Sequence, residues 1–94
     1  MSAMKKRLEV LFAGRVQGVG FRYTAQQLAA GYEVRGTVRN LADGRVELLA
    51  EGDERELQDF LTGIEESQLG GFITEKQLKW SEPQNNLKGF KIVS

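Results

Sequence analysis

The apolar residues of this chain switch repeatedly between two spacings, and the order of those switches limits the folds that it can adopt. A spacing of two predicts a strand with one buried face, whereas spacings of three and four predict an amphipathic helix. Along the 94 residues the order is strand, helix, strand, strand, helix, strand, with a short final strand. This is the split βαβ arrangement of ferredoxin-like α+β sandwiches, so we expect an antiparallel sheet of four to five strands with two helices on one face.

The predicted strands cover residues 8–13, 34–40, 46–51, 72–80 and 90–92. The first helix is expected to begin at Phe21 and to fade near Gly31. The second follows Asp53-Glu54-Arg55-Glu56, which has the pattern of a capping box. Asp43-Gly44 favours a tight turn and therefore a hairpin between the second and third strands. The aromatic residues assigned to the core are Phe12, Phe60, Trp80 and Phe90.

Length and composition indicate a single domain over residues 1–94, because a chain of this size can bury one core between two packed layers. The sequence has no cysteine and no histidine, which excludes thiolate and imidazole metal ligands, a cysteine nucleophile and a histidine general base. Any chemistry must therefore depend on positioning and electrostatics. No segment has the composition of a membrane span, and no apolar leader follows the basic residues Lys5, Lys6 and Arg7, so we expect a cytoplasmic protein.

Charge is distributed unevenly although the net charge is zero. Residues 1–45 contain eight Lys or Arg and three Asp or Glu, whereas residues 46–94 contain five and ten, so the two halves carry +5 and −5. This asymmetry favours a small anion bound by the first half over nucleic acid, because no long basic stripe with interleaved aromatic residues is present. The arginines assigned to the solvated surface are Arg15, Arg39 and Arg45.

The segment from Gly14 to Arg22 joins the first strand to the first helix and contains two closely spaced glycines. Free backbone N–H groups at a helix start, together with the helix dipole, form an anion site without side-chain help. Gly18-Val19-Gly20 alone is typical of a turn, since it has neither the third glycine of a dinucleotide fingerprint nor the Lys-Ser/Thr of a nucleotide loop. Arg22 by itself is typical of a solvated first-turn residue, but its charge there opposes the dipole, which indicates an anionic partner.

The predicted topology brings the glycine loop close to Asn40. The first and second strands are each followed by elements that return the chain, so they run in the same direction and finish at one edge of the sheet. The third strand lies between them, which places the loop and Asn40 two strand spacings apart, or about 10 Å. By itself Asn40 is typical of a residue that opens a hairpin.

Three segments together give the chain a family resemblance. Gly14-Arg15-Val16-Gln17-Gly18-Val19-Gly20-Phe21-Arg22, then Gly36-Thr37-Val38-Arg39-Asn40, then Asp43-Gly44-Arg45-Val46-Glu47 resemble the acylphosphatases. The resemblance extends through Ala50-Glu51-Gly52 to the ending Gly89-Phe90-Lys91-Ile92. It implies an enzyme that hydrolyses acyl phosphates to a carboxylate and inorganic phosphate, with no metal, no cofactor and no covalent intermediate.

The same resemblance implies roles for individual residues. Arg22 binds the substrate phosphate and Asn40 positions the attacking water, while backbone N–H groups cradle the phosphate at Gln17, Gly18, Val19, Gly20 and Phe21. The chain departs from the family at two positions, with Thr37 where an aromatic residue is common and Glu33 where glycine is frequent. Both departures bear on packing and substrate preference, and neither changes Arg22 or Asn40.

These residue types suit the chemistry. An acyl phosphate leaves as a carboxylate, whose conjugate acid has a pKa of about 4, so no strong general acid is needed. Catalysis then requires a held phosphoryl group, neutralised oxygens and one water aimed in line. The Asn40 carboxamide has both donors and an acceptor and can orient water without becoming charged. A phosphate oxygen of the substrate is expected to take the proton.

Two other classes of function stay open at this point. One is a non-catalytic phosphate- or anion-binding module, and the other is a structural or regulatory domain that pairs through an edge of its sheet. RNA binding is disfavoured because the predicted strands lack exposed aromatic pairs for base stacking. We expect a monomer that binds a small-molecule acyl phosphate and neither nucleic acid nor membrane.

Overall fold

The computed structural model describes residues 4–94; Met1, Ser2 and Ala3, at the start of the segment considered for a leader, lie outside them. The helices are α1 (Phe21–Ala29) and α2 (Glu54–Glu66), and a short 3-10 helix over Gln68–Phe72 follows α2. No helix of the described part is long and apolar enough to cross a membrane. The strands are β1 (Lys5–Gly14), β2 (Val34–Asn40), β3 (Val46–Asp53), β4 (Ile73–Ser81) and β5 (Phe90–Ile92).

The five strands form one sheet in the order β4-β1-β3-β2-β5, which confirms the ferredoxin-like α+β fold. β1 pairs antiparallel with β3 and β4, and β2 pairs antiparallel with β3. The short β5 pairs parallel with β2, so the sheet is mixed rather than wholly antiparallel. The sequence pattern located β5 at an edge but contained no signal for its direction, because a three-residue strand takes its direction from the path of the preceding loop.

The topology brings the ends of β1 and β2 to the same edge, as expected. Since β3 is antiparallel to both, β1 and β2 run parallel to each other. Phe12 of β1 and Asn40 of β2 pair with the same residue, Val46 of β3. The chain therefore leaves β1 for α1 at the level of the sheet where β2 ends. The Asp43-Gly44 hairpin also forms, with Gly44 at a φ of 94°.

The core lies between the sheet and the two helices. Phe12 and Phe60 are fully buried, and the rings of Phe12 and Phe21 pack at a tilt of 51° with their centroids 5.0 Å apart. Phe90 is half-buried against Phe60. The assignment of Trp80 to the core is wrong, because 38% of this residue is exposed. It lies on β4, an edge strand whose residues after Ile73 are all exposed.

The two positions that depart from the family pattern lie away from the end of β2. Glu33 has a negative φ and therefore does not need a glycine. Its backbone N–H donates to the Glu56 carboxylate at 2.8 Å. Glu56 thus caps a neighbouring segment, while Asp53 caps α2 by accepting from the backbone of Arg55 at 3.1 Å. Thr37 lies on the face of β2 opposite the buried Val38, where a β-branched residue suits a strand.

A buried ion pair holds the connection between the two edge strands. The chain must cross the sheet from β4 to β5, and Glu51 of β3 accepts backbone hydrogen bonds from Gln84 at 2.8 Å and Asn85 at 3.0 Å on the way. Arg7 donates to the same carboxylate at 2.7 Å, and Glu51 is only 6% exposed. Burial raises the pKa of Glu51, but the two backbone donors and the Arg7 guanidinium outweigh it and hold that pKa below its ordinary value.

We expect Glu51→Gln to lower the free energy of unfolding by about 3 kcal/mol at pH 7, because it leaves the Arg7 guanidinium, whose side chain is only 14% exposed, without a counter-charge. The folded-state pKa of Glu51 is lowered, so its contribution is present above the ordinary pKa of about 4.3 and is lost as the pH falls through the folded value. Urea unfolding of both proteins at neutral and at acid pH measures this, and the difference between them should shrink in acid.

Glu47→Gln is the matched control for this prediction. Glu47 pairs with Arg39 at 2.7 Å on a more exposed part of the sheet, so its loss should cost less than about 1 kcal/mol. Equal destabilisation by the two variants would contradict the account of the Glu51 ion pair.

Candidate active site

The loop between β1 and α1 is held where it leaves β1 and is exposed at its two later glycines. The backbone N–H of Arg15 donates to the Phe72 carbonyl at 2.9 Å, and the Val16 side chain is fully buried. Gly18 and Gly20 both have a φ of 78°, and a Cβ at either position would meet nothing within 4 Å. Glycine is therefore required by the backbone conformation rather than by lack of space.

This backbone leaves a set of free donors. Within residues 4–94, none of the backbone N–H groups from Gln17 to Phe21 finds an acceptor in the protein. The residues between the two glycines and after them have negative φ, and an alternation of φ sign is typical of the backbone nests that bind anions. Gly20 is the N-cap of α1, so the helix dipole points its positive end at the same place. The loop therefore has the free donors and the positive helix end that an anion site needs.

Arg22 and Asn40 come together at this loop. Both side chains line a cavity of about 140 Å³, and Gly18, Gly20 and Phe21 line it with them. Arg22 is exposed, and within the described residues no carboxylate lies within 4.0 Å of it. The Asn40 carboxamide is half-buried and has no hydrogen-bond partner in the part of the chain that the structure describes. A charged fork and a free amide thus face the same space.

The neighbouring arginines are occupied elsewhere. Arg39 pairs with Glu47 at 2.7 Å, and the hydrogen bond to Glu47 raises the pKa of Arg39. Arg45 pairs with Asp43 at 2.8 Å, and its hydrogen bond holds the pKa of Asp43 below the usual value. Both residues lie on the surface, as expected. Among the described residues lining the cavity there is no Asp or Glu, so Arg22 is its one charged side chain.

Two residues of the predicted cradle do not line the cavity with their side chains. Val19 is half-buried against the core. The Gln17 side chain reaches the β2–β3 hairpin, where its Nε2 donates to the carbonyls of Leu41 at 2.8 Å and Arg45 at 3.0 Å. The backbone N–H groups of both residues are free within residues 4–94, as the predicted phosphate-binding role requires. The sequence pattern did not indicate the contact of the Gln17 side chain with the hairpin.

The sequence pattern also missed Tyr23 and Ile92, which line the same cavity. Tyr23 follows Arg22 on the first turn of α1 and is 62% exposed. Ile92 pairs in parallel register with Val38, two residues before Asn40. An exposed aromatic residue beside the arginine was a usable signal, whereas Ile92 could be placed only once the direction of β5 was known.

Two larger cavities lie elsewhere, with volumes of about 280 and 440 Å³. The first is at the opposite end of the sheet, where Lys5 and Arg35 stand beside Glu33 and Glu51, the partner of Arg7. The second is lined by glutamines, alanines and aromatic residues. Neither contains the glycine loop, so size alone is a poor guide to the site here.

The chain is similar to known acylphosphatases along nearly its whole length. A family model described as acylphosphatase matches residues 8–92. An acylphosphatase from Clostridium acetobutylicum is 41% identical over 90 residues, covering 96% of this chain and 99% of that one. One from Thermococcus kodakarensis is 39% identical, covering 93% and 94%. The crystal structure of an acylphosphatase from Bacillus subtilis has a TM-score of 0.86 at 37% identity, covering 95% and 99%.

Proposed function

Because this chain belongs to the acylphosphatase family, we propose that it hydrolyses the carboxyl–phosphate bond of an acyl phosphate at the loop that precedes α1, with Arg22 binding the phosphoryl group and Asn40 positioning the water. The protein is an acylphosphatase enzyme. The observation that carries the assignment of residues is that Arg22, Asn40 and the glycine loop line one cavity although they are far apart along the chain.

The phosphoryl group is held first. Its oxygens accept hydrogen bonds from the free N–H groups of residues 17–21, and the Arg22 guanidinium adds a forked, permanently charged donor. The dipole of α1 favours the same negative charge. These groups are fixed before substrate arrives, so they stabilise charge on the equatorial oxygens without reorganising during the reaction.

The water is positioned second. The Asn40 carbonyl oxygen accepts from the water and aims its oxygen at phosphorus, in line with the bond to the acyl oxygen. As the new P–O bond forms, the bond from phosphorus to the acyl oxygen breaks and the carboxylate leaves with the bonding pair. A water proton passes to a phosphoryl oxygen. These reaction steps need no ionisable enzyme base. The described residues that line the cavity include no Asp or Glu.

A non-catalytic anion-binding module and a purely structural domain are not favoured, because the relatives that this chain matches over nearly its full length are named as enzymes. A monomeric state, a cytoplasmic location and the absence of nucleic-acid binding are part of this proposal. The strands support the last point, since Trp80 is their one strongly exposed aromatic residue within positions 4–94. Sedimentation across a concentration range tests the monomer.

Hydrolysis of benzoyl phosphate tests the proposed reaction. We expect turnover far above the rate in buffer, with kcat independent of pH between about 5 and 8 because no enzyme carboxylate titrates in the reaction. Phenyl phosphate is the matched control, since its phenolate leaving group has a pKa of about 10, as tyrosine does. Without a general acid it should be hydrolysed very slowly. A carboxylate pKa in the kcat profile, or equal rates for the two substrates, would contradict the mechanism.

A further inference from the structure

The Gln17 carboxamide connects the phosphate loop to the hairpin that follows Asn40. Its Nε2 donates to Leu41 O at 2.8 Å and to Arg45 O at 3.0 Å. These carbonyls belong to the first and last residues of the five-residue connection between β2 and β3. Within residues 4–94, they accept the only hydrogen bonds between the Arg15–Gly20 loop and this connection.

These two hydrogen bonds join the phosphate loop to the segment that follows Asn40, so they bear on the distance between the loop and Asn40. The phosphate loop extends from β1, and Asn40 ends β2, with β3 lying between the two strands. The sheet fixes the level at which β1 and β2 finish, but not how far the loop beyond β1 leans towards β2. The Gln17 side chain spans that gap, because its Nε2 donates to the carbonyl of Leu41, which follows Asn40, and to that of Arg45, which precedes the strand partner of Asn40.

We propose that Gln17 is a positioning residue, whose side chain fixes the distance between the loop that holds the phosphoryl group and the Asn40 carboxamide that holds the water. This inference rests on the proposed function of Arg22 and Asn40. One residue serves both sides of the reaction, since its backbone N–H stays free for the phosphate while its side chain contacts the hairpin. A shift of about 1 Å between reacting groups can cost 100-fold in rate, so this separation matters for catalysis.

The test is Gln17→Leu, which keeps the size of the side chain and removes both donors. Each carbonyl retains a backbone donor, since Leu41 N donates to Arg45 O at 2.8 Å and Gly44 N donates to Leu41 O at 3.2 Å. The hairpin should therefore still form. We expect kcat for benzoyl phosphate to fall at least about ten-fold, while the inhibition constant for inorganic phosphate changes less than about two-fold, because the loop and Arg22 are intact.

Gln26→Leu is the matched control. Gln26 also donates from Nε2 to one distant backbone carbonyl, that of Phe90 at 3.0 Å, and it lies outside the cavity lining. Its replacement should change kcat less than about two-fold. Equal losses of kcat in the two variants would mean that any missing tertiary hydrogen bond loosens the site, and would overturn the specific role of Gln17.

A double-mutant cycle separates positioning from a general structural effect. When Asn40 is already alanine, no carboxamide remains to be placed, so adding Gln17→Leu should lower kcat by less than about two-fold. Additive losses would overturn the inference and leave the roles of Arg22 and Asn40 unaffected. Full activity of Asn40→Ala alone would instead reject the proposed function, so the two failures are distinguishable.

Discussion

Replacing Asn40 by alanine is expected to lower kcat for benzoyl phosphate by at least about 100-fold, with inhibition by inorganic phosphate changed less than about two-fold. The physical reason is that, in the proposed mechanism, the carboxamide positions the attacking water and does not hold the phosphoryl group. Its removal leaves the N–H groups of the loop and the Arg22 guanidinium in place. Steady-state kinetics with phosphate as a competitive inhibitor measures both quantities on one sample.

Thr37→Ala is the control for that variant. Thr37 is on the same strand but on the opposite face from Val38, three residues before Asn40. It should leave kcat within about two-fold and affect only strand stability. Circular dichroism of both variants establishes that the fold is kept. If Asn40→Ala weakened phosphate binding as much as it lowered kcat, Asn40 would be a phosphate ligand and the division of roles would be wrong.

Arg22→Ala is expected to weaken inhibition by inorganic phosphate at least about 100-fold and to lower kcat/KM by about 1,000-fold. Each charge-assisted hydrogen bond from the guanidinium contributes about 1.5–3 kcal/mol, and the fork makes two of them. Lysine should restore only part of the loss, since an ammonium cannot present the same planar pair of donors. Phosphate inhibition and kcat/KM for the three proteins give the comparison.

Arg22→Ala should not destabilise the fold, although it lowers activity. Arg22 lies in the first turn of α1, where a positive charge opposes the helix dipole, and it has no described carboxylate partner within 4.0 Å. Arg22→Ala should therefore leave the free energy of unfolding unchanged or raise it by about 0.3–1 kcal/mol. Arg15→Ala is the matched control at an exposed loop arginine outside the cavity lining, and it should preserve phosphate inhibition.

The order of the strands could be predicted from the sequence, because the spacing of apolar residues locates the strands and the connecting helices and hairpin determine the direction of each. The pairing of Phe12 and Asn40 with the same Val46 follows from a hairpin placed between two strands of one direction. That is why residues distant along the chain could be expected at one edge of the sheet. The resemblance then supplied roles for Arg22 and Asn40 that neither residue would receive alone.

The remaining features depend on information that a spacing pattern does not contain. Trp80 reads as a core residue, but β4 is an edge strand and leaves it 38% exposed. Ile92 reaches the cavity because the β4–β5 connection crosses the sheet and makes β5 parallel to β2. The hydrogen bonds of Gln17 join residues 24 and 28 positions apart. Side-chain direction and the path of a long connection are set by tertiary packing.

The Arg7–Glu51 ion pair and the proposed catalytic site lie at opposite ends of the sheet. The Arg7–Glu51 ion pair holds the β4–β5 connection near the start of β1, whereas the glycine loop follows the end of β1. The glycine loop exposes backbone donors that have no acceptor within residues 4–94, and the first-turn arginine opposes the helix dipole without a described carboxylate partner. An anion in the cavity satisfies both, so inorganic phosphate should also stabilise the fold.

If Arg22, Asn40 and the glycine loop surround one phosphoryl group, a ¹H–¹⁵N NMR titration of the wild-type protein with inorganic phosphate will detect it at all three. We expect saturable shifts in the backbone N–H signals of residues 17–21, in Arg22 Nε and in the Asn40 carboxamide. All should fit one dissociation constant, equal to the kinetic inhibition constant for phosphate. Shifts centred instead on Lys5 and Arg35 at the opposite cavity, with residues 17–22 and Asn40 unmoved, would contradict it.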